Sequence, residues 1–449
     1  MPRAPTMPDA RSAAPPASRR LLQAIGPGIL FAAAAIGVSH LNQSTRAGAV
    51  HGLALVGFVV LAHLMKLPAM LAGPRYAAAT GTSLLQAYRR QGVHATGLFA
   101  LITVGTMFTI QAAVTVVTAA ILKHVAIDPI VGSPDAVPQW AVAAGVLALG
   151  AAVLAAGGFR WLDAVMKGLM VVMAACTLVA AALELPHLAG ERLPLLPTIP
   201  EDPAARLALV AFVVALVGWM PAPLDISVWH SLWTLARRRQ THHEPTRREC
   251  DLDFAIGYAL CIVLALAFVV LGAGRLFVRG IEPAAGAPGF AAQLVDLYAA
   301  TIGEWSRPVI AAAAVAVMLS TTLTVQDALP RTVVQLGRRL RSDEAWDDAA
   351  GDVSRTRGYW IALALIGGGA MAIITQVSGS GFQALVNLAT TLSFLGTPVI
   401  AWFNHRAMTS SALPPEARLG PAHRAFSLGA VVFWAAFAAL FLWSQLAAG

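Results

Sequence analysis

The chain has 449 residues, 57% of them apolar and 12% charged, with a formal net charge of +8. A soluble domain carries about 25% charged residues, so a water-soluble enzyme is excluded. The basic residues lie in short loops between apolar runs, which argues against nucleic acid as a partner. Three cysteines, Cys176, Cys250 and Cys261, form no spaced pair, so neither a disulfide framework nor a zinc motif is implied.

Residues 1–20, rich in Pro, Ala and Arg, read as a disordered cytoplasmic tail, and residues 21–449 as a single transmembrane domain. Residues 21–36 resemble a signal-peptide core, but ten further apolar segments follow, which favours a retained first helix. Apolar runs of about 20 residues recur throughout, each able to cross about 30 Å of hydrocarbon. They predict an all-α polytopic membrane protein with eleven spans, at about 25–46, 50–71, 97–122, 139–156, 162–184, 207–235, 253–274, 307–329, 358–376, 383–403 and 424–447.

With the N-terminus in the cytoplasm, Arg75, Arg89, Arg90, Arg237, Arg238 and Arg239 fall on that side, as do Arg338, Arg339 and Arg341. Few basic residues, such as Lys123, Arg192 and Arg275, fall at the other face, and Lys66 sits within a span. The excess of positive charge inside sets the orientation: N-terminus in, C-terminus out.

The first and sixth spans depart from the pattern. The first changes from Ala-rich to Gly-Val-Ser-His-Leu-Asn-Gln-Ser, and the sixth from Val-rich to Gly-Trp-Met-Pro-Ala-Pro-Leu-Asp. Pro221 and Pro223 each remove a backbone donor and clash with the preceding turn, so the helix cannot run on unbroken. Freed backbone groups are tolerated at that depth only around a protein-lined or water-lined cavity. Two breaks five spans apart are the signature of inverted five-helix repeats with the site at the paired breaks. The expected repeats cover about 25–184 and 207–403, with an extra helix at about 424–447.

GPGILFAAAAIG…AGA, ALVGW…P…HS and STTLTVQDALPR resemble the first, sixth and eighth helices of the Nramp divalent-metal transporters. The resemblance implies a LeuT-like 5+5 architecture in a bacterial-type inner membrane, and alternating-access transport of a divalent cation. It also implies an altered site. Family members usually place Asp-Pro-Gly-Asn at the first break, where this chain has Gly37, Val38, Ser39 and His40. The family's sixth-helix methionine ligand corresponds to Ala222, with Met220 two residues earlier. The acidic residue of the third helix and the basic residue of the ninth are both missing, so the usual proton route is absent.

A charged group at the bilayer centre costs about 2.5–3.5 kcal/mol on insertion scales, which makes Asp225 a candidate cation or proton site. Its structural alternatives are capping the second half of the sixth helix or pairing with His230. His40 offers an imidazole suited to a transition metal. His40 and Asp225 are thus the candidate metal ligands. Gly37, Ser39, Asn42, Trp219, Met220 and Ala222 complete the expected substrate site, with Gln43 and Ser44 as further polar groups. Gln111, His230, Gln326, Asp327, Asn387 and Thr390 are expected along the pathway or behind the site.

No resident cofactor is implied; the expected partners are an ion or small-molecule substrate and the lipid bilayer. One alternative is a transporter of a small polar or anionic organic solute, bound by exposed backbone and Trp219. An intramembrane enzyme is the other class, with Asp225 and Asp327 the only acidic dyad on offer. Asp343, Glu344, Asp347 and Asp348 lie among arginines and read as charge balance.

Overall fold

In the computed structural model, residues 24–134, 136–157, 160–341, 353–377 and 381–447 are described. The expected tail over 1–20 and the acidic group at 343–348 lie outside them. Among the described residues every regular element is a helix. In chain order the principal helices are α1 (Pro27–Ala35), α2 (Thr45–His51), α3 (Val56–Thr80), α4 (Leu84–Arg90) and α5 (Val93–Leu122). There follow α6 (Gln139–Ala155), α7 (Arg160–Ala189), α8 (Pro203–Gly218), α9 (Ile226–Thr241) and α10 (Arg247–Gly272). The last are α11 (Ala287–Ile302), α12 (Arg307–Arg341), α13 (Arg357–Ile374), α14 (Gly381–Thr409) and α15 (Pro421–Leu446).

Among the described residues, eight helices are long and apolar enough to cross a membrane: α3, α5, α7, α10 and α12–α15. Two shorter apolar helices, α6 and α8, join them. The first expected span is divided into α1 and α2, which are too short to cross alone, and the sixth into α8 and α9. Helix starts follow local chemistry. Asp202 accepts the Ala205 amide at 2.7 Å ahead of Pro203, and Thr246 with Glu249 forms a reciprocal cap on α10.

Both halves of the first span lean on α10 through paired glycines. A Cβ on Gly28 would stand 2.0 Å from the Asp253 carbonyl oxygen, and one on Gly257 2.2 Å from that of Gly28. At the far end of α10, a Cβ on Gly48 would stand 2.0 Å from the Val269 oxygen, and one on Gly272 2.1 Å from that of Thr45. Only glycine permits backbones this close, the way helices associate where no hydrophobic force separates protein from lipid. The Asp253 carboxylate closes the arrangement by accepting the Gly26 and Gly28 amides at 3.0 and 2.6 Å. A carboxylate from a neighbouring helix thereby satisfies the orphan donors and positive end of α1.

Beside this seam, Phe31, His230, Phe254 and Tyr258 stack with centroids 4.9–5.9 Å apart. A second apolar cluster gathers Met220, Phe394 and Trp434 where α8, α14 and α15 meet. Two helices escaped the sequence reading. α4 is a short helix between α3 and α5, and α11 packs a Phe290, Leu294, Leu297 and Tyr298 face against α5 and α7. Its apolar residues recur at three and four positions, the pattern of a helix with one buried face.

Candidate functional site: the paired helix breaks

α1 stops at Ala35 because Gly37 donates back to the Ala35 carbonyl at 2.9 Å, after which Ser39–Ser44 form a wide π-helical turn leading into α2. π-bulges of this kind concentrate at functional sites. The carbonyls released at the break are taken up by side chains. Thr321 of α12 donates to Ala33 O at 2.9 Å, and Ser39 Oγ lies 2.7 Å from Ala35 O and 3.3 Å from Pro221 O. Ser39 thus joins the two breaks. A Cβ on Gly37 would sit 2.8 Å from Thr321 Oγ1 and Cγ2, so the position that carries aspartate in the Nramp pattern is sterically closed here.

His40 is fully buried, with Nδ1 2.8 Å from Ser39 Oγ and 3.0 Å from Ala35 O, and Nε2 3.0 Å from Cys261 O. A neutral ring donates to Cys261 and accepts from Ser39, whereas an imidazolium donates to both carbonyls. In either form no nitrogen lone pair is left for a metal, so in this geometry His40 ties the first break to α10. Asn42 is also buried, with neither amide atom hydrogen-bonded.

At the second break α8 ends at Gly218 and α9 begins at Ile226, with a cis Met220–Pro221 bond between them. The carbonyls of Val217, Gly218 and Ala222 all accept from the Lys66 ammonium of α3, at 2.8, 2.7 and 3.0 Å, and Val217 O also accepts from the Met220 amide at 3.3 Å. Lys66 has no exposed surface and lies 5.5 Å from the Trp434 ring centroid. The sequence showed it only as a charge within a span. Its partners are main-chain oxygens, which leave no residue signature.

Asp225 immediately precedes α9 but makes no capping hydrogen bond, and its Oδ1 is buried without a partner. It does not pair with His230, whose ring stacks among Phe31, Phe254 and Trp233. Neither structural alternative expected for Asp225 is therefore realised. Lys66 and Asp225 interact electrostatically across the break without forming a direct ion pair. Met220 points away from the cavity, its sulfur 3.8 Å from Ser44 Oγ.

Between the breaks lies a small cavity. Ala34, Ala35, Val38 and Ser39 line it from the first break, and Trp219, Ala222, Pro223, Ile226 and Trp229 from the second. Ile110 and Val114 of α5 and Thr321 and Val325 of α12 complete the wall. Of the expected site residues, Ser39, Trp219 and Ala222 face this space, and none of the lining side chains is ionisable. The Trp229 indole N–H, which sequence reasoning did not single out, is buried and unpartnered. Among the described residues no three His, Cys, Asp or Glu side chains gather to hold a metal ion.

α14 backs both breaks. Asn387 accepts from Gln43 at 3.4 Å and from Gln383 at 2.9 Å, and Trp219 Nε1 donates to Ser393 Oγ at 2.9 Å. Thr390 bonds within its own helix, and its carbonyl is the close neighbour of Gly218. Gln111 donates to Thr115 at 3.0 Å. Gln326 and Asp327 face elsewhere. Gln326 donates to Leu147 O of α6 at 2.9 Å, while Asp327 pairs with Arg331 at 2.7 Å and accepts from Tyr359 at 2.7 Å. With Asp327 so engaged, Asp225 and Asp327 do not form an acidic dyad.

Residues 28–444 match the Nramp family, described as natural resistance-associated macrophage protein-like. An uncharacterized protein of Pasteurella multocida (strain Pm70) is 33% identical over 424 residues, covering 94% of this chain and 92% of that protein. Among solved structures, a variant of the manganese transporter of Eremococcus coleocola superposes with a TM-score of 0.65 at 14% identity, over 98% of this chain and 89% of that one. MhsT in complex with L-phenylalanine gives 0.53 at 15% identity, over 93% and 98%. Mhp1, a nucleobase-cation-symport-1 family transporter, gives 0.55 at 14% identity, over 94% and 90%. At these identities the likeness is one of fold, the LeuT fold of secondary transporters.

Proposed function

Since the chain belongs to the Nramp family, we propose that it is a multi-pass secondary transporter whose substrate binds between the broken first and sixth helices and crosses by alternating access. The observation that carries this reading is the cavity walled by residues of both breaks and by α5 and α12. On this reading the chain has eleven spans in one membrane domain, with α1–α7 as the first inverted repeat, α8–α14 as the second and α15 outside both. The basic loops put the N-terminus in the cytoplasm of a bacterial-type cell and the C-terminus outside.

The family points to a divalent metal cation as cargo, as does the manganese transporter of similar fold. On that reading Asp225 and Asn42 supply oxygen ligands, the donor type that suits hard cations.

A specific observation favours a second cargo class. The cavity is lined by two tryptophans, aliphatic side chains and two hydroxyls, with one free indole donor and no carboxylate, imidazole or sulfur. Apolar walls with few polar groups are how proteins hold small organic molecules. Calorimetry of purified protein against manganese, magnesium, zinc and a panel of small polar metabolites separates the two. Saturable metal binding lost in Asp225→Asn supports the metal reading. Metabolite binding lost in Trp229→Phe, with no metal response, supports the organic one. Micromolar manganese binding unchanged by either substitution would remove this site from the account.

A further inference from the structure

We propose that the carbonyls of Val217, Gly218 and Ala222 form a monovalent-cation site at the end of α8, and that the Lys66 ammonium is its permanent, tethered occupant. An ammonium has three donors, and all three find a carbonyl oxygen, at 2.7–3.0 Å, inside a pocket with no exposed surface. Two of these oxygens, those of Val217 and Gly218, come from the C-terminal end of α8, where the backbone dipole is negative, so the position attracts a cation without a carboxylate. Pro221 and Pro223 lack amide hydrogens, so the segment that carries the third carbonyl offers few donors to compete for it. Trp434 adds an aromatic face on the ammonium's flank.

The cage and the cargo cavity share Ala222, whose oxygen binds Lys66 and whose residue lines the cavity. Holding the ammonium therefore sets the shape of the cavity wall. The chain then requires no free ion at the sixth-helix break: the charge that fixes the unwound segment is built into α3. This inference rests on reading the breaks as the transport site, but its test reads stability and needs no substrate, so each can fail without the other.

The test uses the purified full-length chain. Lys66→Ala removes a fragment that n-propylammonium reproduces. Thermal unfolding is recorded for wild type and variant in propylammonium, sodium, potassium or N-methylglucamine chloride. The expected result is a lower midpoint for Lys66→Ala that propylammonium raises saturably by several degrees, with no response to N-methylglucamine and none in wild type. A variant that responds to propylammonium no more than wild type does would overturn the proposal, since loss of packing alone is not repaired by a specific amine. If Lys66→Ala does not accumulate, the wild-type arm decides: indifference to sodium and potassium is expected, and saturable stabilisation by either overturns the tethered-occupant assignment.

Discussion

Gly37 stands where the resemblance to the Nramp pattern leads one to expect aspartate. An aspartate there meets Thr321, whose hydroxyl is committed to Ala33 O. Gly37→Asp is expected to lower stability by about 1–3 kcal/mol, the usual range for overpacking. Adding Thr321→Ala should recover part of that loss; thermal unfolding of the single and double variants checks it, and equal losses would contradict the clash. Asp225 makes a different case, a buried carboxylate with one oxygen unpartnered and no side-chain cap on α9. Asp225→Asn should leave the folded protein intact and abolish pH-driven uptake in proteoliposomes. Uptake unchanged between about pH 5.5 and 8 would exclude Asp225 as the coupling group. Asp225 was legible in the sequence because a lone acid in a membrane span stands out, and Lys66 stood out for the same reason. The carbonyl cage was not legible, because main-chain oxygens are the same at every residue. His40 stands out in the sequence for its chemistry as a ligand, but its contact with the Cys261 carbonyl is brought up by α10, a tertiary contact no local pattern announces.

At the scale of elements, the breaks could be read because prolines and a Gly-Val-Ser-His run interrupt otherwise uniform apolar helices. The glycines that seat α1 and α2 on α10 were visible as letters but not as pairs, since the partners are more than 220 residues apart in the chain (Gly28 with Gly257, Gly48 with Gly272). The same holds for Asp253, which grips the start of α1. If α1 swings during transport, this grip must release. Asp253→Ala removes two amide acceptors and should cost about 1 kcal/mol, the value of a lost helix cap. Hydrogen exchange at the amides of residues 26–30 should quicken while exchange within α12 stays unchanged; uniform quickening across both would mean global destabilisation instead of a local latch. α4 and α11 went unread because neither is long enough to span the membrane, so a search for spans passes over them.

For the whole molecule, hydropathy and loop charge carry most of the architecture, since the bilayer admits only helices whose backbone is satisfied internally. The charge bias predicts that, in sealed spheroplasts, external protease removes a C-terminal tag and spares an N-terminal one. The reverse pattern would contradict the orientation. Hydropathy is silent on what the molecule carries, because cargo depends on which few side chains reach the cavity. The central claim, that the two breaks enclose one site opened to each face in turn, is tested most directly by thiol labelling. With Cys176, Cys250 and Cys261 replaced by serine, a cysteine is placed at Val38 in the first break or at Ala222 in the second, both on the cavity wall. Oriented vesicles are then treated from one side or the other with a membrane-impermeant thiol reagent. The account predicts that each cysteine reacts from both faces; reaction of either from one face only, or from neither, would contradict it.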